Sequence, residues 1–76
     1  MASHYIVKEF HSGKTVFTHT ATDRGREELR KILATCERRP NAQPGVIHQS
    51  SGVSIKVYSG GKLCKMQSLY ALGLKK

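Results

Sequence analysis

Histidine and cysteine are the residue types of this sequence best suited to metal chemistry. The chain has four His and two Cys, and imidazoles and thiolates are the ligands of structural zinc. Such sites contain a close C-x₂₋₄-C or H-x₃₋₅-H pair, which this sequence lacks. We therefore expect neither a metal nor another cofactor, and we expect Cys36 and Cys64 to be reduced, partly buried thiols.

Acid–base and nucleophilic catalysis have little support in the sequence. The chain has five Asp and Glu residues in all, and Glu27, Glu28 and Glu37 stand among basic residues. A catalytic site needs a proton-transfer group beside a nucleophile or a second carboxylate. The pattern predicts a protein that is not an enzyme.

A glycine-rich turn is a candidate phosphate site. "SGGKLCK", residues 59–65, could present successive backbone N–H groups to an anion, with Lys62 adding charge. The spacing is not that of a P-loop, which requires G-x-x-x-x-G-K before a helix. A hairpin turn with a solubilising lysine explains the same residues.

Basic residues dominate the charge of the chain. The net charge of +8 favours attraction to DNA, RNA, a ribonucleoprotein or an acidic protein, although a basic face can also serve solubility alone. The segment from Arg24 to Arg39 is biased towards arginine, which is preferred where phosphate or carboxylate accepts two hydrogen bonds. We predict a partner-binding surface formed by Arg24, Arg26, Arg30, Lys31, Arg38 and Arg39, with a second patch of Lys56, Lys62 and Lys65.

Two β-strands are predicted near the start of the chain. "HYIVKEF" (4–10) and "KTVFTHT" (14–20) are rich in β-branched and aromatic residues and flank a Ser-Gly pair. A two-residue turn at that pair would place three apolar side chains on one face. These side chains are Ile6, Phe10 and Phe17.

An amphipathic helix is predicted from about Asp23 to Glu37. Thr22 and Asp23 are both good N-cap types, and Pro40 would end the helix. On the solvent-facing side of this helix, which we call the outer arc, two pairs of opposite charge are each four residues apart. They are Arg24 with Glu28 and Glu27 with Lys31. Apolar residues recur at helical spacing along one stripe, which we expect in the core: Gly25, Leu29, Ile32, Leu33 and Cys36.

Three more strands are predicted after a Pro- and Gly-containing loop. They are residues 45–49, 53–59 and 63–69, and "YALGLKK" (70–76) forms either a helical turn stopped by Gly73 or a frayed tail. In the second of these strands, Val53, Ile55 and Val57 face one side, and Ser54, Lys56 and Tyr58 face the other. The sequence therefore predicts an α+β fold, β-β-α-β-β-β. An antiparallel sheet of four to five strands carries one helix on one face, within a single domain spanning residues 1–76.

The sequence also bounds the location and the mode of recognition. The sequence has no apolar run near the roughly 20 residues that span a bilayer and no signal-peptide pattern, so we expect a cytoplasmic protein with no membrane contact.

An RNA-recognition sheet would expose aromatic pairs on adjacent strands, and Tyr5 and Tyr58 are the plausible candidates. A double-stranded RNA-binding domain would need a leading helix. Contact with a phosphate backbone or a protein is therefore expected rather than base reading.

"YIVKEF" (5–10), a helix after the second strand, and "SGVSIKVYSGGK" (51–62) together resemble a family of small phage-encoded anti-CRISPR proteins, the ninth type I-F inhibitor. The resemblance implies a β-β-α-β-β arrangement and a non-enzymatic inhibitor that docks on the backbone subunits of the RNA-guided surveillance complex. The chain differs in its "ERRPNAQPG" loop and its C-terminal "YALGLKK". The positions that match the family pattern are Tyr5, Ile6, Lys8, Glu9, Gly52, Gly61 and Lys62.

Three functional hypotheses follow from these observations. The leading one is a phage-type inhibitor, acting in a bacterial host, that binds a nucleoprotein such as a CRISPR effector complex and blocks recognition of target DNA. The alternative is a DNA- or RNA-binding protein without sequence preference, drawn by the same charge. A third is a homodimeric interaction module formed through an exposed strand edge, as opposed to a monomer.

Overall fold

The computed structural model describes residues 3–75, which form an antiparallel sheet with two helices packed on one of its faces. The strands are β1 (His4–Glu9), β2 (Thr15–Thr20), β3 (Val46–His48), β4 (Ser54–Ser59) and β5 (Lys62–Cys64), and the helices are α1 (Asp23–Leu33) and α2 (Met66–Ala71). The order across the sheet is β2-β1-β4-β3, and β5 pairs with the same edge of β4 as β3 does, at the other end of that strand. The predicted α+β class is therefore confirmed, with the addition of a second, short helix.

The core lies between the two helices and one face of the sheet. Alternate residues of β1 and β4 point into it, as the period of two in a strand requires. They meet the predicted apolar stripe of α1, in which Leu29 and Leu33 are completely buried. Each such side chain stabilises the fold by about 1.5–3 kcal/mol relative to exposure. The buried cluster comprises Tyr5, Val7, Leu29, Leu33, Cys36, Ile47, Ile55, Val57, Cys64, Leu69 and Leu74.

The first hairpin differs from the predicted one in its loop and its register. The Glu9 N–H donates to the carbonyl of Lys14, so a four-residue loop replaces the two-residue turn. Val7 then faces Phe17, and the register shifts after Val7. Because a one-residue slip moves a side chain to the opposite face, the prediction that Ile6, Phe10 and Phe17 share a face is wrong. Phe17 packs against the core cluster, whereas Ile6 lies on the other side.

Helix α1 is capped as predicted but ends four residues earlier. The Thr22 hydroxyl accepts a hydrogen bond from the Gly25 N–H at 3.2 Å, which satisfies one of the free donors of the first turn. The helix ends at Leu33 because the following segment turns back to the sheet. There Glu37 and His48 exchange two backbone hydrogen bonds of 2.8 Å, and a backbone committed to a strand bridge cannot continue the helix.

The C-terminal part of the chain is helical rather than extended. The predicted strand at 63–69 shortens to β5, and α2 begins immediately afterwards. The Leu74 N–H donates to the carbonyl of Leu69, and Gly73 adopts a φ of 71°, a helix C-terminus that glycine favours. Of the two alternatives for residues 70–76, the described part of the segment, 70–75, adopts the helical turn stopped by Gly73. Because Leu69 and Leu74 are each 1% exposed, α2 is anchored in the core.

Candidate nucleic-acid interface

One face of the sheet is not covered by the helices, and we define it by five side chains of β1 and β4. Those of β1 alternate with the buried Tyr5 and Val7, and those of β4 alternate with buried Ile55 and Val57. Phe10 follows β1 directly, and its backbone N–H continues the hydrogen-bond ladder between β1 and β4 by donating to the Ser54 carbonyl at 2.8 Å. We call this surface the open sheet face, and its residues are Ile6, Lys8, Phe10, Lys56 and Tyr58.

Lysines and aromatic rings alternate across the open sheet face. The Lys8 ammonium lies 5.4 Å from the ring centroid of Tyr58, and the Lys56 ammonium lies 5.1 Å from that of Phe10. Each is a cation–π contact worth about 0.5–1 kcal/mol at an exposed site. Lys8 and Lys56 are also direct cross-strand partners, an arrangement in which like charges repel. The centre of the face therefore carries two adjacent positive charges.

The acidic residues lie elsewhere in the fold. Four of them belong to α1 or the segment just after it: Asp23, Glu27, Glu28 and Glu37. Glu9 is the cross-strand partner of buried Ile55, so it lies on the covered side of the sheet. Its carboxylate accepts hydrogen bonds from the backbone N–H groups of His11 and Ser12. The His11 N–H is the main cause that lowers the pKa of Glu9. Glu37 bridges to His48, the partner of Ser54, so its side chain projects on the same side of the sheet as Lys56, beyond β3. Among the residues described, 3–75, β1 and β4 themselves place no carboxylate on the open sheet face.

The predicted arginine arc on α1 is partly engaged within the chain. Arg26 pairs with Asp23 at 3.2 Å, and Lys31 pairs with Glu28 at 3.7 Å. Both pairs are three residues apart, whereas the sequence suggested pairs at a spacing of four. Exposed ion pairs of this kind contribute at most about 1 kcal/mol. Arg24 is exposed at the start of the helix. Of the four predicted binding residues that lie on α1, two, Arg26 and Lys31, are therefore paired with neighbouring carboxylates.

Arg30 links the two helices. Its Nε donates to the Gly73 carbonyl at 2.6 Å, while Lys75 Nζ donates to the Leu33 carbonyl at 2.8 Å. Carbonyls at helix C-termini have no partner within the helix and carry partial negative charge, so each cation stabilises the end of the opposite helix. Arg30, predicted as a binding residue, has a structural role that its position in the sequence does not reveal.

The other predicted binding residues lie in separate places. Arg38 and Arg39 are exposed in the loop after Glu37, and Lys62 and Lys65 are exposed at the two ends of β5. Lys56 belongs to the open sheet face, on the side of the sheet opposite α1. The predicted set therefore does not form one continuous surface. Its binding role stays a prediction.

Sequence reasoning missed Lys8 and Phe10. The alternation of Ile6, Lys8 and Phe10 along one strand could have indicated a second basic and aromatic row beside Lys56 and Tyr58. The assumed two-residue turn instead grouped Phe10 with Phe17, which the structure places on the opposite side of the sheet. Tyr5, suggested as an exposed stacking residue, is 3% exposed and belongs to the core.

The cysteines lie inside the fold. Cys36 and Cys64 are both buried, and neither forms a disulfide in this structure. Burial raises the pKa of each thiol, because a thiolate is poorly solvated in apolar surroundings. Within the part of the chain that the structure describes, no three His, Cys, Asp or Glu side chains come together as a metal-binding group.

Strand β2 forms one edge of the sheet, and its Val16 side chain is 55% exposed. An unpaired strand edge is a template for a second chain, so the homodimer hypothesis retains a physical basis.

Among residues 3–75, no helix has both the length and the apolar character needed to cross a bilayer.

Comparisons with known proteins do not assign the chain to a class. No family model matches it, and no significant similarity to curated proteins or to solved structures was found. The resemblance to the anti-CRISPR family therefore stays a prediction based on the sequence pattern alone.

Proposed function

We propose that this protein is a non-enzymatic nucleic-acid-binding protein. The observation that carries the proposal is the segregation of charge: four of the five carboxylates lie on α1 or just after it, whereas β1 and β4 place Lys8 and Lys56, and no carboxylate, on the open sheet face. A basic surface without acidic neighbours attracts phosphates and steers their approach. Its aromatic rings offer contact that a purely solubilising surface would not need.

Binding to labelled oligonucleotides across a range of salt concentrations tests this function. Fluorescence anisotropy should show log Kd rising linearly with log salt, by about 0.7 per phosphate contacted on a single strand and about 0.9 on B-DNA. The absence of binding to DNA and RNA at low ionic strength would show that the proposed function is wrong.

The second candidate is an inhibitor of a bacterial CRISPR surveillance complex. Two observations favour it: the resemblance carried by "YIVKEF" and "SGVSIKVYSGGK", and the exposure of Arg24, Arg38 and Arg39. A pull-down from host lysate tests it at about 0.5 M salt, where the Debye length is roughly 4 Å and weak charge attraction is screened. Recovery of one defined complex after nuclease treatment supports inhibition. Recovery of bulk nucleic acid that nuclease removes supports the first function instead.

A further inference from the structure

We infer that the open sheet face binds a single-stranded nucleic acid, with bases stacked on Tyr58 and Phe10 and phosphates held by Lys8 and Lys56. This inference rests on the proposed function and adds the surface, the residues and the type of strand. It moves the binding site from the arginine arc of α1 to the opposite side of the molecule.

The two rings are placed to contact different nucleotides. Tyr58 is the cross-strand partner of Ile6, and Phe10 lies four residues further along the same row. At about 3.3 Å per residue, the backbone positions that carry the two rings are roughly 13 Å apart along the sheet. A single base cannot bridge that separation, so a bound strand would stack two separate bases and pass its backbone between them.

The lysines occupy the centre of that path. Lys8 and Lys56 are direct partners on adjacent strands, between the row positions of the two rings. In the free protein each ammonium lies over a ring, at 5.4 and 5.1 Å. A lysine side chain is long and flexible, with a compact hydrated charge. A base can therefore replace the ammonium on the ring while the ammonium moves to a phosphate, which relieves the repulsion between the two lysines.

The chemistry favours a single strand over a duplex or an acidic protein. In a duplex the bases are stacked on one another, so their faces cannot reach Tyr58 or Phe10, and only phosphate contact remains. An acidic protein would pair with Lys8 and Lys56 but would leave the rings without a stacking partner. Sequence-tolerant binding of single strands combines both features, a basic path and aromatic platforms.

Ring substitutions that keep the apolar volume test the stacking. Anisotropy is measured with a labelled oligothymidine of about 12 nucleotides, within the range of site sizes known for single-strand binders, and with a duplex of equal length. Tyr58→Leu and Phe10→Leu should each weaken single-strand binding by about 5-fold or more, since one stacked base contributes that much. Tyr58→Phe keeps the ring and should retain affinity. Thermal melting by circular dichroism confirms that each variant is folded.

Two double substitutions that remove equal charge test the surface. Lys8→Gln with Lys56→Gln removes two cations from the open sheet face, and Arg24→Gln with Lys31→Gln removes two from α1. The first pair should lower the salt slope by about 0.7 for each phosphate that is no longer neutralised, and the second should change it little. Equal effects of the two pairs would show that bulk charge alone binds, and the inference would be overturned.

Other results would also overturn the inference. It is wrong if folded Leu variants bind the single strand as tightly as the unaltered chain, or if the duplex binds equally well. If polyglutamate displaces the oligonucleotide and the ring substitutions weaken both ligands alike, the face is a protein-docking surface. In each of these outcomes nucleic-acid binding itself is still measured, so failure of the inference is distinguished from failure of the proposed function.

Discussion

Substitution of Gly25 by alanine tests how closely α1 approaches the end of β2. Gly25 lies in the first turn of α1 and is buried. A Cβ atom built there would lie 2.7 Å from Nδ1 of His19 and closer still to the backbone carbonyl oxygen of Thr20. A carbonyl oxygen cannot rotate away as a side chain can, so either the helix or the strand end has to move.

Two opposing effects decide the sign of the change in stability. Alanine is favoured over glycine in a helix by up to about 1 kcal/mol, so the sequence alone suggests that Gly25→Ala stabilises α1. Forcing extra volume into a packed site costs about 1–3 kcal/mol. Because the contact with Thr20 involves the backbone, we expect the steric cost to exceed the helical gain. The expected net destabilisation is about 1–2 kcal/mol, or a fall in Tm of roughly 5–15 °C in a domain of this size.

Chemical and thermal denaturation followed by circular dichroism measure this effect. Arg24→Ala is the matched control, because Arg24 is the exposed neighbour of Gly25 in the same helical turn. Its replacement should change the unfolding free energy by less than about 0.5 kcal/mol. If Gly25→Ala raises Tm while Arg24→Ala leaves it unchanged, α1 and β2 do not approach as closely as the structure has them, and the reasoning is refuted.

Three further predictions concern the C-terminus, the first hairpin and the thiols. Leu74→Ala should destabilise the fold by about 2–5 kcal/mol in urea unfolding because its side chain is buried, whereas Leu72→Ala, at a position 42% exposed, should have little effect. Equal effects would show that Leu74 is not in the core. The backbone N–H of His11 lowers the pKa of Glu9 below its ordinary value, so the ionised carboxylate stabilises the loop above the unfolded-state pKa, and this contribution is lost as the pH falls through the lowered pKa. The stability advantage of the unaltered chain over Glu9→Gln should therefore shrink as the solution is acidified through that range; an advantage independent of pH would contradict the loop contacts. Cys36 and Cys64, buried with raised pKa values, should react with a thiol reagent such as DTNB only after urea unfolds the chain, and rapid reaction of the folded protein would contradict their burial.

Much of the fold could be predicted from local pattern. The helical spacing of Leu29 and Leu33 placed the core stripe of α1. Alternation put Ile55 and Val57 on one side of β4, which the structure shows to be the core side, whereas Val53, grouped with them, precedes β4 and is exposed. Both patterns depend on the period of the backbone, which short stretches of sequence display directly. The N-cap at Thr22 is equally local, because the capping oxygen and its donor are three residues apart.

The candidate site was less predictable because it depends on register. The shift of one residue in the first hairpin decides which face Phe17 shares, so the predicted grouping of Phe17 with Ile6 and Phe10 failed. Loop contacts to Glu9 accompany the observed register, and no periodicity in the sequence encodes them. The end of α1 was missed for a similar reason, since the bridge between Glu37 and His48 joins segments that are distant in the chain.

The sequence by itself determined the net charge of +8, the α+β class and the apolar stripe of α1, because these follow from composition and from periods of a few residues. Only the tertiary structure decided where the charge lies. Packing of α1 and α2 on one side of the sheet leaves Lys8 and Lys56 on the other, beside Tyr58 and Phe10. The proximity of these four side chains arises from the pairing of β1 with β4, two strands separated by more than half of the chain.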